Sequence, residues 1–193
     1  IPQAPALLNG KTVEDRFLDI MTPSVSARLD RRRGLAVQWL AFGTDAPLIG
    51  GLPHGHFDDI ALQADWYTGD CVYEQPGEPK ITDLEWAETK ISRDALDNTI
   101  VTGRIETPLG PIEKTLRFHA DATRLDFDIA FHWEHWGKGS LRLGHITLLP
   151  QAFDWSRLTL TTHNGGAAPE RFALHGERVD HGAPVSFLVS ASS

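Results

Sequence analysis

Between residues 124 and 133 every second side chain is large and apolar: Leu125, Phe127, Ile129, Phe131 and Trp133. Asp126, Asp128, Ala130 and His132 stand between them. Successive side chains of an extended strand point to opposite faces, whereas a helix brings together residues three and four apart. Only the strand collects all five apolar groups on one side. Burying five such side chains contributes on the order of 10 kcal/mol before chain entropy is set against it. A chain holding this stretch needs a second apolar layer to cover it.

The same short period recurs along the chain. Val25, Ala27 and Leu29 alternate with polar partners, Arg31-Arg32-Arg33-Gly34 makes a turn, and a second strand runs over 35–42. That pattern predicts a hairpin. Further strands are predicted over 71–74, 84–91, 99–106, 112–118, 141–149, 157–162, 170–174 and 184–191. Gly, Pro, Asp and Asn clusters such as Gln75-Pro-Gly-Glu-Pro79 and Pro108-Leu-Gly-Pro111 separate them. Residues 13–20 fit a short helix or a strand equally. Past Thr22 no segment carries a sustained 3.6-residue pattern with caps, and no repeat of fixed period appears. The prediction is an all-β fold, a two-sheet antiparallel sandwich. Residues 1–23, with Pro2 and Pro5, read as an entry linker or arm, and 24–193 as a single sandwich domain.

Composition narrows the function classes. Net charge is -8, which repels phosphate backbones and argues against nucleic acid as a partner. The basic run at Arg28, Arg31, Arg32 and Arg33 is interrupted by Asp30 and reads as a solvated turn. No stretch of about 18 consecutive apolar residues offers a membrane-crossing helix. Cys71 is the single cysteine, so no internal disulfide and no cysteine-rich metal site forms, which suits a reducing, cytoplasmic compartment. The chain opens on Ile1 and stops after the apolar run at 185–191, so it reads as a piece of a longer protein, and the compartment stays open.

Two constellations carry chemistry. The first is Leu52-Pro-His-Gly-His-Phe-Asp-Asp-Ile60, followed by Ala64-Asp-Trp-Tyr-Thr-Gly69, a loop between strands. His54 and His56 point to one side of an extended segment, and Asp58 and Asp59 stand beside them. Such a set suits contacts to a sugar or anion, acid–base work, or a divalent ion, and equally a polar loop whose histidines cap backbone groups. Trp66 and Tyr67 offer ring faces that stack on sugars, with Asp65 and Asp70 ready to accept hydroxyl hydrogen bonds; the same rings also serve to close a sandwich end. The second constellation is His132-Trp133-Glu134-His135-Trp136. His132 and Glu134 share a face, and His145 on the adjoining strand joins them if the sheet is concave there. A His/Glu set of that kind acts as acid and base, whereas a solvated outer face needs nothing from it. His163-Asn164-Gly165-Gly166 is a turn. No phosphate loop, Gly-x-Ser-x-Gly elbow or His-Glu-x-x-His motif occurs, and no metal or other cofactor is assigned.

The segments Ser26-Ala-Arg-Leu-Asp-Arg-Arg-Arg-Gly34, 52–60, 64–69, Lys114-Thr-Leu-Arg-Phe118 with Arg124-Leu-Asp-Phe-Asp128, and Pro184-Val-Ser-Phe-Leu-Val-Ser-Ala191 carry a resemblance. Together they resemble the C-terminal β-domain of bacterial proteins similar to family 57 glycoside hydrolases. The resemblance implies a β-supersandwich like that of galactose mutarotase, a catalytic barrel elsewhere in the same parent chain as partner, and a carbohydrate context. With the composition of the loop, the first reading is an accessory, non-catalytic domain that contributes sugar contacts through His54, His56, Asp58, Asp59, Trp66 and Tyr67. The alternatives are an aldose mutarotase or epimerase acting through His132, Glu134 and His145, and a purely structural or oligomerisation module. The surroundings of those three residues do not match the mutarotase pattern, and no catalytic residue carries over from either family.

Overall fold

The computed structural model describes residues 16–43, 46–51, 67–163 and 168–174. The chain is all-β, with antiparallel strands β1 (Phe17–Met21), β2 (Val25–Asp30), β3 (Ala36–Phe42), β4 (Ile49–Gly50), β5 (Cys71–Glu74), β6 (Ile81–Thr82) and β7 (Glu88–Arg93). There follow β8 (Thr99–Ile105), β9 (Ile112–Phe118), β10 (Leu125–Phe131), β11 (Ser140–Leu143), β12 (Thr147–Leu148), β13 (Thr159–Thr162) and β14 (Glu170–Ala173). They fall into two compact units, divided after Leu149.

The first unit is a sandwich. Its sheets run in the orders β1-β2-β3-β4-β12, β10-β9-β8-β7 and β11-β5-β6. Ile20, Val25, Ala27, Leu29, Val37 and Leu40 from the first sheet meet Val101, Ile105, Leu116 and Phe118 from the second in the main core. A smaller core joins Cys71 and Tyr73 of β5 to Ile112 and Trp133. The alternation expected at 124–133 faces as predicted: Phe127 pairs with Leu116, Ile129 with Lys114 and Phe131 with Ile112, all on the inner side. In the second unit β13 and β14 pair as an antiparallel ladder, Leu160 opposite Phe172.

Local chemistry fixes the β2–β3 hairpin. Asp30, fully buried, accepts hydrogen bonds from the Arg32 amide at 3.0 Å and from Arg16 Nε at 3.0 Å. The arginine run thus makes a tight 3-10 turn, Arg31–Arg33. Gly34 closes it against the Asp83 carbonyl, where a Cβ would lie 1.9 Å from the oxygen, so no side chain fits.

Three expectations change. The strand read over 84–91 starts only at Glu88, in β7, with the short β6 ahead of it, because the Gly34 amide donates to the Glu85 carbonyl and the Ala87 amide to that of Arg31. The backbone between them turns aside to bond the arginine turn. The strand read over 141–149 breaks at Gly144, whose amide donates to the Asp70 carbonyl, so β11 pairs with β5 and β12 with β4. The span read as an entry arm contributes β1, paired along its whole length with β2 and burying Ile20. The strand expected over 184–191 lies outside the described residues.

Among the described residues, no strand pairs with the outer sides of β11 and β12. Register places Leu141 opposite Tyr73, Leu143 opposite Cys71 and Leu148 opposite Ile49, all turned toward the core side. These leucines are nevertheless 38%, 51% and 50% exposed.

Candidate functional site

Past Phe131 the chain leaves the sheet, and its aromatic residues close the sandwich end. Trp133 is buried and donates from Nε1 to the Gly110 carbonyl at 3.1 Å. Its ring centroid lies 4.6 Å from that of Trp136, 4.9 Å from Phe131 and 5.3 Å from Tyr73. Tyr73 meets Trp136 nearly edge-on at 5.6 Å, and its hydroxyl donates to the Gly137 carbonyl at 2.7 Å. Tilted and edge-to-face contacts of this kind are favourable beyond the area they bury. Trp136 is thereby held by three rings and a tethered neighbour, yet it remains 49% exposed.

A cleft of about 380 Å³ borders the same cluster. Gln75, Glu78 and Lys80 supply its polar wall, and Ile81, Pro108 and Leu109 its apolar one. Ile81 and Leu109 also pack on the Tyr73 and Trp133 core, so cleft and aromatic cluster share a wall. Lys80 pairs with Glu74, and Arg142 Nη2 donates to the same carboxylate at 2.9 Å. The hydrogen bond from Lys80 holds the Glu74 carboxyl below its ordinary value.

His132 and Glu134 flank Trp133 and are both exposed. The His132 amide donates to the Pro111 carbonyl at 2.9 Å. His145 stands elsewhere in the topology, between β11 and β12, with Nε2 3.2 Å from Thr147 Oγ1 and its carbonyl accepting from the Gly69 amide. It lines a cleft of about 330 Å³ with Asp70, Val72, Arg142 and Leu143. On its other side lies an apolar groove of about 200 Å³ that includes Val37, Phe42, Leu125 and Phe127. Neither lining includes His132 or Glu134, and among the described residues no hydrogen bond joins the three.

His54, His56, Asp58, Asp59 and Trp66 lie outside the described residues. Tyr67 is only 8% exposed, so the open stacking face expected of it is not there. The Arg33 guanidinium lies 5.6 Å from its ring centroid, and Thr68 beside it bridges Val37, drawing the segment onto the sheet. Among the described residues no group of three His, Cys, Asp or Glu side chains is placed to hold a metal ion.

Two features went unread in the sequence. Lys114 is completely buried, and its ammonium donates to the carbonyls of Gly34 and Gly69 at 2.7 Å each and meets Asp83 at 2.5 Å. A signal for it existed: the alternation Ile112, Lys114, Leu116, Phe118 puts a lysine on the apolar face, where it needs an acid. Gln75 carried no signal, because its placement against Gly137 joins residues far apart in sequence.

Comparison with family models finds none that matches this chain, and comparisons with curated proteins and with solved structures find no match either.

Proposed function

We propose that this chain is a non-catalytic, carbohydrate-binding β-sandwich module of a larger carbohydrate-processing protein. Trp136 carries the reading. A half-exposed indole fixed by Tyr73, Phe131 and Trp133 is a flat apolar surface that needs no ordering when a sugar ring stacks on it. Exposed Glu134, His135 and Lys138 around it offer hydroxyl partners of both kinds, acceptors and donors. The separation of His145 from His132 and Glu134 in the cleft linings favours binding over proton transfer across a shared substrate.

The test is calorimetric titration of the chain with neutral hexasaccharides of glucose, xylose and mannose, in parallel with Trp136→Ala. The reading expects binding that Trp136→Ala removes while the melting transition of the variant stays cooperative. No heat from any of the three sugars at millimolar concentration overturns it.

A further inference from the structure

We infer that the cleft beside Trp136 is a second subsite, so that the sandwich end takes a chain of neutral sugar residues rather than one ring; this rests on the carbohydrate reading above. The argument starts from the junction. Gln75 lines the cleft, and its amide lies so close over Gly137 that a Cβ there would sit 1.6 Å from Nε2. Gly137 follows Trp136 directly, and its carbonyl is the acceptor for the Tyr73 hydroxyl. The Gln75 amide therefore stands at the point where the aromatic cluster passes into the cleft.

The lining selects the ligand class. Gln75 presents a donor and an acceptor on one planar group, Glu78 accepts, and Lys80 donates while its charge is already met by Glu74. Opposed charges in one small cleft favour neither anion nor cation. Hydroxyls, which donate and accept at once, match such a wall. Ile81, Pro108 and Leu109 in the same lining give apolar surface for the carbon face of a ring. A volume of about 380 Å³ falls within the roughly 300–1,000 Å³ of small-molecule sites, which leaves room for more than a single contact. One ring on Trp136 and the next against Gln75 use both surfaces together, and linking two weak contacts multiplies their effect.

Calorimetry with the monosaccharide, disaccharide and hexasaccharide of whichever sugar series binds reads the inference directly. The hexasaccharide should bind at least tenfold more tightly than the monosaccharide. Gln75→Ala and Gly137→Ala, the latter pushing the flexible Gln75 amide out of the junction, should reduce that ratio to within twofold. Trp136→Ala should remove binding of every length. Equal affinity for all lengths, or a length dependence untouched by Gln75→Ala and Gly137→Ala, overturns the subsite and leaves the carbohydrate reading standing. Absence of any binding overturns both.

Discussion

The ammonium of Lys114 and the carboxylate of Asp83 meet at 2.5 Å with neither side chain exposed to solvent. Lys114 belongs to β9, while Asp83 leads into the segment that bonds the arginine turn. The same ammonium takes the carbonyls of Gly34 and Gly69, and Asp83 Oδ1 accepts from the Cys71 amide at 3.1 Å. One ion pair thus ties the β2–β3 turn, the entry to β5 and the facing sheet to a single point.

Removing one partner should leave the other charge buried and unmet. Lys114→Met is expected to destabilise the sandwich by roughly 3–5 kcal/mol in chemical denaturation. Lys114→Met combined with Asp83→Leu should recover part of that loss, since no bare charge remains, but not all. Three backbone groups, the Cys71 amide and two carbonyls, still lose their partners. A single-variant loss below about 1 kcal/mol would show that the pair is not the tie described here.

Cys71 gives a pH signature next to that pair. Burial first, then the neighbouring Asp83 carboxylate, pushes its thiol far above the ordinary range. The folded chain keeps the proton where the unfolded chain, titrating near about 8.5, releases it. Stability from this group is complete below that pH and falls above it, by about 1.4 kcal/mol per pH unit. Denaturation of the native chain and of Cys71→Ala between pH 8 and pH 10 should show a steeper decline for the native chain. Parallel slopes would reject the account. The folded thiol should also resist alkylation until denaturant opens the core.

At the acid end the relevant group is Asp126. Its carboxyl is held below the usual carboxylate value, chiefly by His119 Nε2 at 2.8 Å and then by Arg124 Nε at 2.6 Å. A lowered folded value means that the contribution is present above about pH 4 and is lost as pH falls through it. The stability difference between the native chain and Asp126→Asn should therefore shrink from pH 5 to pH 2. A difference constant over that range counts against it. His119→Ala should raise the Asp126 midpoint in a carbon-detected NMR titration.

What the sequence made legible was whatever depends on neighbours. The inward face of β10 was readable from Leu125, Phe127, Ile129 and Phe131, because alternation needs no knowledge of the partner strand. So was the β2–β3 hairpin, whose turn residues are contiguous. The break at Gly144 was not, since it is set by the Asp70 carbonyl, and neither was the detour at 83–87, set by Gly34 and Arg31. The aromatic site divides the same way. Trp133 and Trp136 announced themselves, but the exposure of Trp136 and the burial of Tyr67 depend on which distant strand each one meets. Lys114 sits between these cases: its pattern was visible, and its acid was not.

The open edge turns register into a last prediction. Leu143 and Leu148 occupy positions whose strand neighbours, Cys71 and Ile49, face the core, yet each leucine is half exposed. Each also sits on a strand that ends its sheet among the described residues. A side chain already half in water loses little when made polar, so Leu143→Lys and Leu148→Lys should each cost less than about 1 kcal/mol. Leu116, on the inner face of β9 and wholly buried, should cost roughly 2–5 kcal/mol as Leu116→Ala. Lysines on a free strand edge also oppose edge-to-edge pairing, so light scattering at high concentration should fall in the double Lys variant. Denaturation midpoints that ranked Leu143 with Leu116 would mean the edge is covered in solution, and the inward register would then describe a closed core rather than an open rim.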